Sequence, residues 1–186
     1  MSPHLVIHTQ ESLPPALYWQ VLSFKRMFWA SAFQGEHRFD SDWYPPGYEV
    51  LHLSIVEGEN LISHSELVRL TLGLEDEVYQ IYGLGAVMTF PPYRGEGFAR
   101  RVVEAATRHI LTSDVDLGLL FCRRELIPFY ASCGWEAQSP TAVTVLGSTL
   151  RSEDAEMVRM ALFVSEKGKA ARETFLNDPL TIEWLW

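Results

Sequence analysis

The chain has 186 residues, and 15 Lys+Arg against 24 Asp+Glu give a formal net charge of −9. Hydrophobic residues at 47% and charged residues at 21% exclude a disordered chain and leave ample apolar material for one folded core. The acidic balance argues against non-specific nucleic-acid binding and against docking on anionic lipid, because both repel a negative surface.

The first element in chain order is a short strand over His4–Thr9. Pro14 and Pro15 suit the first turn of a helix with Ser12 as a candidate N-cap, and Leu17, Val21, Phe24, Phe28 and Ala32 recur at helical spacing. Gly35, Pro45, Pro46 and Gly47 make residues 34–47 loop-like. Tyr48–Val56 and Leu61–Leu72, separated by Glu57-Gly58-Glu59-Asn60, form a predicted hairpin. Val78–Phe90 is a third extended stretch, and Gly97–Leu111 is a helix with Val102, Val103, Ala106 and Ile110 on one face.

Val115–Cys122 is an apolar run suited to a strand buried on both faces. A short helix is expected over Glu125–Ser132, with Pro128 near its first turn and Gly134 as its stop. Thr141–Leu146 and Met157–Val164 are late strands, and Ala170–Phe175 is helical. The order β-α-β-β-β-α-β-α-β-β predicts an α/β (α+β) domain with a mixed sheet, filling residues 1–186 as one unit.

Cys122 and Cys133 give neither a disulfide framework nor zinc-ligand spacing, so buried free thiols in a reducing compartment are expected. No metal is expected. The N-terminal residues lack a signal-peptide pattern and no apolar run approaches a membrane span, so the cytoplasm is the expected location.

The most informative stretch is Thr89–Ala99, between a strand and an amphipathic helix. Gly95 and Gly97 permit backbone conformations and close approach that side chains block. A helix starting near Gly97 aims free N–H groups and a positive dipole end at the loop, a setting for pyrophosphate. Arg94 can add charge-assisted bonds to phosphate. The pattern is neither a Walker A loop nor G-x-G-x-x-G.

The complete string R-x-x-G-x-A over Arg94–Ala99 resembles the acyl-CoA loop of the GNAT (GCN5-related N-acetyltransferase) family. Downstream, Leu117–Cys122 resembles that family's fifth strand. Phe129-Tyr130-Ala-Ser-Cys-Gly134-Trp135 resembles its next helix, with the pattern F-Y-x-x-x-G-F/W. The resemblance implies a mixed central sheet splayed between its fourth and fifth strands and flanked by helices. It implies acetyl-CoA as donor, held by Val87, Met88 and Thr89 along the strand and by Arg94, Gly95, Glu96, Gly97, Phe98 and Ala99 in the loop.

A narrower likeness, to aminoglycoside 2'-N-acetyltransferases, rests on Phe33, Asp42-Trp43, Arg94-Gly95, Tyr130–Trp135, Pro140-Thr141, Arg151–Asp154 and the final Trp186. It implies an amino-sugar site at Asp42, Trp43, Glu183 and Trp186. Two departures stand out: that group's acidic residue on the strand before the loop falls at Gly85, and its penultimate acid is absent.

Acetyl transfer needs a neutral amine and a proton source for the departing thiolate. Tyr130 is the candidate acid, the alternative being a core aromatic with a satisfied hydroxyl. Ser132 either supports the thiolate or acts as a helix-cap serine. Asp42 is the candidate base, with Glu183 and the terminal carboxylate as alternatives. His52 and His64, with no visible partner, read as structural.

The leading expectation is an acetyl-CoA-dependent N-acetyltransferase acting on a primary amine of a small cationic acceptor, an aminoglycoside or other amino sugar among the options. The alternatives are an acyl-CoA-binding sensor without catalysis and an acyltransferase with a longer donor. The partner expected is a small molecule, not nucleic acid or membrane, and a homodimer is an open option.

Overall fold

The computed structural model describes residues 2–41, 44, 47–146, 150–151 and 157–182. Strand β1 (His4–Thr9) pairs antiparallel with β2 (Glu49–Glu57), which forms a hairpin with β3 (Asn60–Leu74). Strand β4 (Glu77–Thr89) pairs antiparallel with β3, and β5 (Leu117–Arg123) pairs parallel with β4. Strand β9 (Met157–Phe163) and the short β6 (Glu136–Ala137) complete a seven-stranded mixed sheet of order β1-β2-β3-β4-β5-β9-β6. A second sheet joins β7 (Thr144–Leu146), β8 (Leu150–Arg151) and β10 (Leu180–Ile182).

Helix α1 (Pro15–Phe28) covers one face of the sheet, where Leu17, Val21 and Phe24 pack on Val56, Leu61, Ala86 and Met88. Pro14 occupies its N-cap without a side-chain bond. Ser12 is not the cap: its hydroxyl accepts from the Thr9 amide at 2.9 Å and serves the turn after β1. The helix ends at Phe28, and the loop-like stretch beyond it contains two 3₁₀ turns, Ala30–Phe33 and Gly35–Phe39. Helix α2 (Phe98–Leu111) covers the opposite face and buries Val102, Val103, Ala106 and Ile110 against Leu53, Ile55, Ile62, Leu67 and Leu84.

The short helix α3 (Ile127–Ala131) follows a 3₁₀ turn and ends at Gly134, whose φ of +95° reverses the chain. The Trp135 indole N–H donates to Thr107 Oγ1 at 2.9 Å and ties this reversal to α2. Gly118 leaves room for the same indole: a Cβ there would lie 2.9 Å from the Trp135 ring. The predicted helix over Ala170–Phe175 is two pieces, α4 (Glu166–Ala170) and α5 (Arg172–Asn177).

Asp116 joins three elements. Its carboxylate accepts from the Gln80 amide at 2.9 Å and the Ser165 hydroxyl at 2.6 Å, while Ser165 Oγ accepts from Gly168 N at 3.0 Å. A Cβ at Gly168 would overlap the Asp116 carbonyl oxygen. Gly168→Ala is therefore expected to cost about 1–3 kcal/mol or more. Chemical denaturation checks this, and an unchanged midpoint would mean that α4 shifts freely.

Candidate functional site

Strands β4 and β5 are paired only from Ile81–Leu117 to Gly83–Leu119. Both continue beyond that point, β4 to Thr89 and β5 to Arg123, with no ladder between them. The β5-facing edge of β4 thus carries backbone N–H and C=O groups with no partner strand among the described residues. Groups of this kind need hydrogen-bond partners.

The same stretch carries a bulge. Register slips between His64–Met88 and Glu66–Gly85, so Ala86 and Val87 stand opposite Ser65 alone. Ala86 takes a φ of +49°, a strained value for a residue with a Cβ. A bulge re-aims the strand's backbone, and here it does so beside Val87, Met88 and Thr89, the positions expected along the acyl chain. Thr89 is fixed by a 2.9 Å hydroxyl contact with Ser63.

Past Thr89 the chain makes a 3₁₀ turn over Pro91–Tyr93 and reaches Arg94 to Gly97. Gly95 and Gly97 have φ of +85° and +82°, and Gly97 is the N-cap of α2. No side chain caps that helix, so the first-turn amides and the positive dipole end face the loop. Gly95, Glu96 and Gly97 are exposed, as an anion-receiving loop requires. Arg94 is exposed too, but its Nε donates to the Thr89 carbonyl at 3.3 Å and its guanidinium lies 5.0 Å from the Phe28 ring centre. It braces the loop against α1.

Tyr130 lies in the core beside Cys122 of β5, with its ring 4.9 Å edge-on from Phe129. Among the described residues its hydroxyl has no hydrogen-bond partner. Burial, then the Cys122 and Cys133 thiols, push its pKa well above the usual phenol value. No described residue supplies the satisfied hydroxyl that the core-aromatic alternative would have. A protonated, unengaged phenol beside the strand splay can donate to a thiolate formed there. Ser132 is committed elsewhere, donating to the Phe129 carbonyl at 2.6 Å as a helix-end serine does. Burial pushes the Cys122 thiol up to about 11, so it stays protonated at neutral pH.

Asp42, Trp43, Glu183 and Trp186, the expected acceptor residues, lie outside the described residues, as does most of Arg151–Asp154. Neighbours of the first pair are anchored. The Tyr18 hydroxyl donates to the Ser41 carbonyl at 2.6 Å, and the Tyr44 hydroxyl to Glu66 Oε2 at 2.6 Å.

Glu66 is a candidate site residue that the sequence reading did not single out. It is fully buried on β3, in register with Gly85 on one side and His52 on the other. Cross-strand partners share a face of the sheet. The carboxylate absent at Gly85 therefore has a counterpart one strand away on the same face. Lys25, buried on α1, donates to Glu66 Oε2 at 2.8 Å. Burial alone would raise the Glu66 carboxyl, but the Lys25 charge and the two imidazoles outweigh it and hold it well below the usual range. Burial pushes His64 down to about 4 despite Glu66, so its imidazole is neutral. A cleft of about 350 Å³ opens above this group, lined by Gln10, Tyr18, Lys25, Tyr44, Tyr48, His52 and Glu66 among others. No residue of β4 or β5 lines it, so it is separate from the strand splay.

Known proteins share this architecture. A conserved protein of unknown function from Enterococcus faecalis V583 superposes with a TM-score of 0.57 at 16% identity over 72% of this chain, which spans only 32% of that one. Escherichia coli ElaA gives 0.62 at 15% identity, covering 87% of this chain and 99% of its own. An aminoglycoside 6'-N-acetyltransferase complexed with coenzyme A gives 0.59 at 10% identity, covering 86% and 97%. None of the curated proteins matches the chain in sequence. The family model for the acetyltransferase (GNAT) domain matches residues 25–138, which take in the end of α1, the Glu66 hairpin, the splayed strands, the glycine loop and Tyr130. The chain belongs to the GNAT acetyltransferase family.

Proposed function

We propose that the protein transfers an acetyl group from acetyl-CoA to a primary amine of a small cationic acceptor. The observation that carries this reading is the unpartnered, bulged edge of β4 running directly into the left-handed glycine loop at an uncapped helix. That edge offers backbone groups along the length of a pantetheine arm, and the loop offers amides for a pyrophosphate. The residues present fit CoA. Val87, Met88 and Thr89 would hold the arm, and Gly95 to Ala99 the phosphates. Tyr130 would protonate the departing thiolate. An unengaged phenol favours an enzyme over a CoA-binding sensor. Release of free thiol from acetyl-CoA, assayed over a panel of amines, tests the reading; no release with any amine would leave the sensor.

The cationic acceptor rests on the net charge of −9 and on the likeness at Asp42-Trp43, Glu183 and Trp186. Carboxylates at Asp42 and Glu183 would attract and orient protonated amines beside Trp43 and Trp186, with Asp42 as base for the reacting one. The solved aminoglycoside acetyltransferase is compatible with this acceptor class. Glu183→Gln removes a charge from this stretch and keeps the rings. The expected result is a higher KM for aminoglycoside or polyamine acceptors with acetyl-CoA binding unchanged. Identical kinetics in steady-state assays would take Glu183 out of the acceptor site.

A further inference from the structure

We propose that His52, His64 and Glu66 form a binding site for a divalent transition-metal ion of the zinc type, separate from the acyl-CoA cleft. His52 Nδ1 and His64 Nε2 lie 3.3 and 3.2 Å from one atom, Glu66 Oε1, and the three ligand atoms all fall within 4.8 Å of one another. Bonds of ~2.0–2.2 Å to imidazole and carboxylate around a tetrahedral ion place ligand atoms ~3.3–3.5 Å apart. Each imidazole nitrogen is already near that spacing from Glu66 Oε1, and the two nitrogens lie within 4.8 Å of each other.

The groups behind the ligands fit the same reading. His52 Nε2 lies 2.7 Å from Gln10 Oε1, and His64 Nδ1 lies 2.9 Å from Ser54 Oγ. An imidazole that gives one N–H to an oxygen turns its other nitrogen, unprotonated, toward a metal, and such partners fix ligand orientation. In that tautomer both unprotonated nitrogens converge on Glu66 Oε1; in the other, each imidazole gives its proton to that oxygen and a metal would take the proton's place. Among the described residues, His52 Nδ1 has no hydrogen-bond partner, although His52 is only 3% exposed. With the proton on Nε2, Nδ1 presents a lone pair to the Glu66 carboxylate 3.3 Å away, and a bound cation would relieve the repulsion.

Glu66 divides its two oxygens between two tasks. Among the described residues, Oε2 accepts from Lys25 and Tyr44, while Oε1 faces the two imidazoles. That is the arrangement of a carboxylate that ligates through one oxygen and is oriented through the other. Lys25 is the competing cation, held on the far oxygen at 2.8 Å. His52 and Glu66 also line the 350 Å³ cleft, which gives the ion an entry path and an open fourth position. Two imidazoles with one carboxylate suit zinc, cobalt or iron better than magnesium or calcium.

The test uses the full chain stripped with a chelator and titrated with Zn²⁺ by calorimetry, with Co²⁺ followed by its ligand-field absorption. The expected result is one equivalent bound, tetrahedral-type Co²⁺ bands, and no comparable binding of Mg²⁺. His52→Gln and His64→Gln should each abolish the bands, and His37→Gln, on the exposed turn, should leave them intact. If either core variant fails to fold by circular dichroism, Gln10→Ala serves instead and should weaken binding ~10–100-fold. No stoichiometric Zn²⁺ binding to the native chain would overturn the proposal and leave a structural network. Binding lost in His37→Gln but kept in the core variants would also overturn it, by assigning the ion to the surface.

Discussion

Gly97→Val is expected to weaken CoA binding roughly a hundredfold, about 2.7 kcal/mol. Two effects act together. Gly97 holds φ at +82°, a region that a β-branched residue occupies only under strain, so valine pulls the N-cap away from its present geometry. The new side chain would also stand at the mouth of an uncapped helix, where the first-turn amides must approach phosphate oxygens closely. A Cβ at this position would meet nothing within 4 Å, so the fold itself suffers from backbone strain alone and not from a clash. Calorimetry with CoA on a variant that still melts cooperatively separates the two costs. Undiminished affinity in a folded variant would falsify the loop assignment.

The loop was legible in the sequence because its constraints are local. Two glycines in the left-handed region, a strand before them and an amphipathic helix after them leave few conformations open. The long elements were legible for the same reason: β1 keeps its predicted limits, and β2, β3, β4 and α2 begin and end within two residues of theirs. The short strands β6, β8 and β10 were not, whereas β7 falls inside the strand predicted over Thr141–Leu146. Strand β10 exists because it pairs parallel with β7, and β6 because it adds to β9. Such pairings are set by distant segments, and no periodicity develops over so short a run.

The Glu66 cluster was hidden for a more specific reason. Counting outward from the turn, with Glu57 opposite Asn60, would put His52 opposite Ser65 and turn Glu66 to the other face. A bulge between Ile55 and Val56 shifts the register by one residue, so His52 meets Glu66 and Ser54 meets His64. A one-residue slip moves every later side chain across the sheet. Lys25 was hidden on α1 because apolar periodicity does not register a buried lysine. The signal available was the polar alternation of His52 with Ser54, and of His64 with Glu66, inside an otherwise apolar hairpin. The splay of β4 from β5 was expected only through family resemblance, since no local pattern marks where a ladder ends.

Tyr130→Phe is expected to lower kcat by ~10²–10⁴-fold while the KM for acetyl-CoA stays within a factor of two or so. The proton leaves the phenol only as the thiolate departs, so the group acts in the transition state and contributes little to ground-state binding. Because no described residue bonds the hydroxyl, its removal strands no buried partner, and the melting transition should stay within about 0.5 kcal/mol of the native one. A drop in turnover therefore cannot be assigned to lost structure. The direction of the pKa shift adds a second test. An acid works while protonated, and burial holds this phenol above its ordinary value, so Tyr130 should impose no alkaline limb on the pH–rate profile below about pH 10. A variant turning over at the native rate would return Tyr130 to packing. The thiolate would then take its proton from water entering the splay between β4 and β5, and the buried phenol would serve only to close the core beneath it.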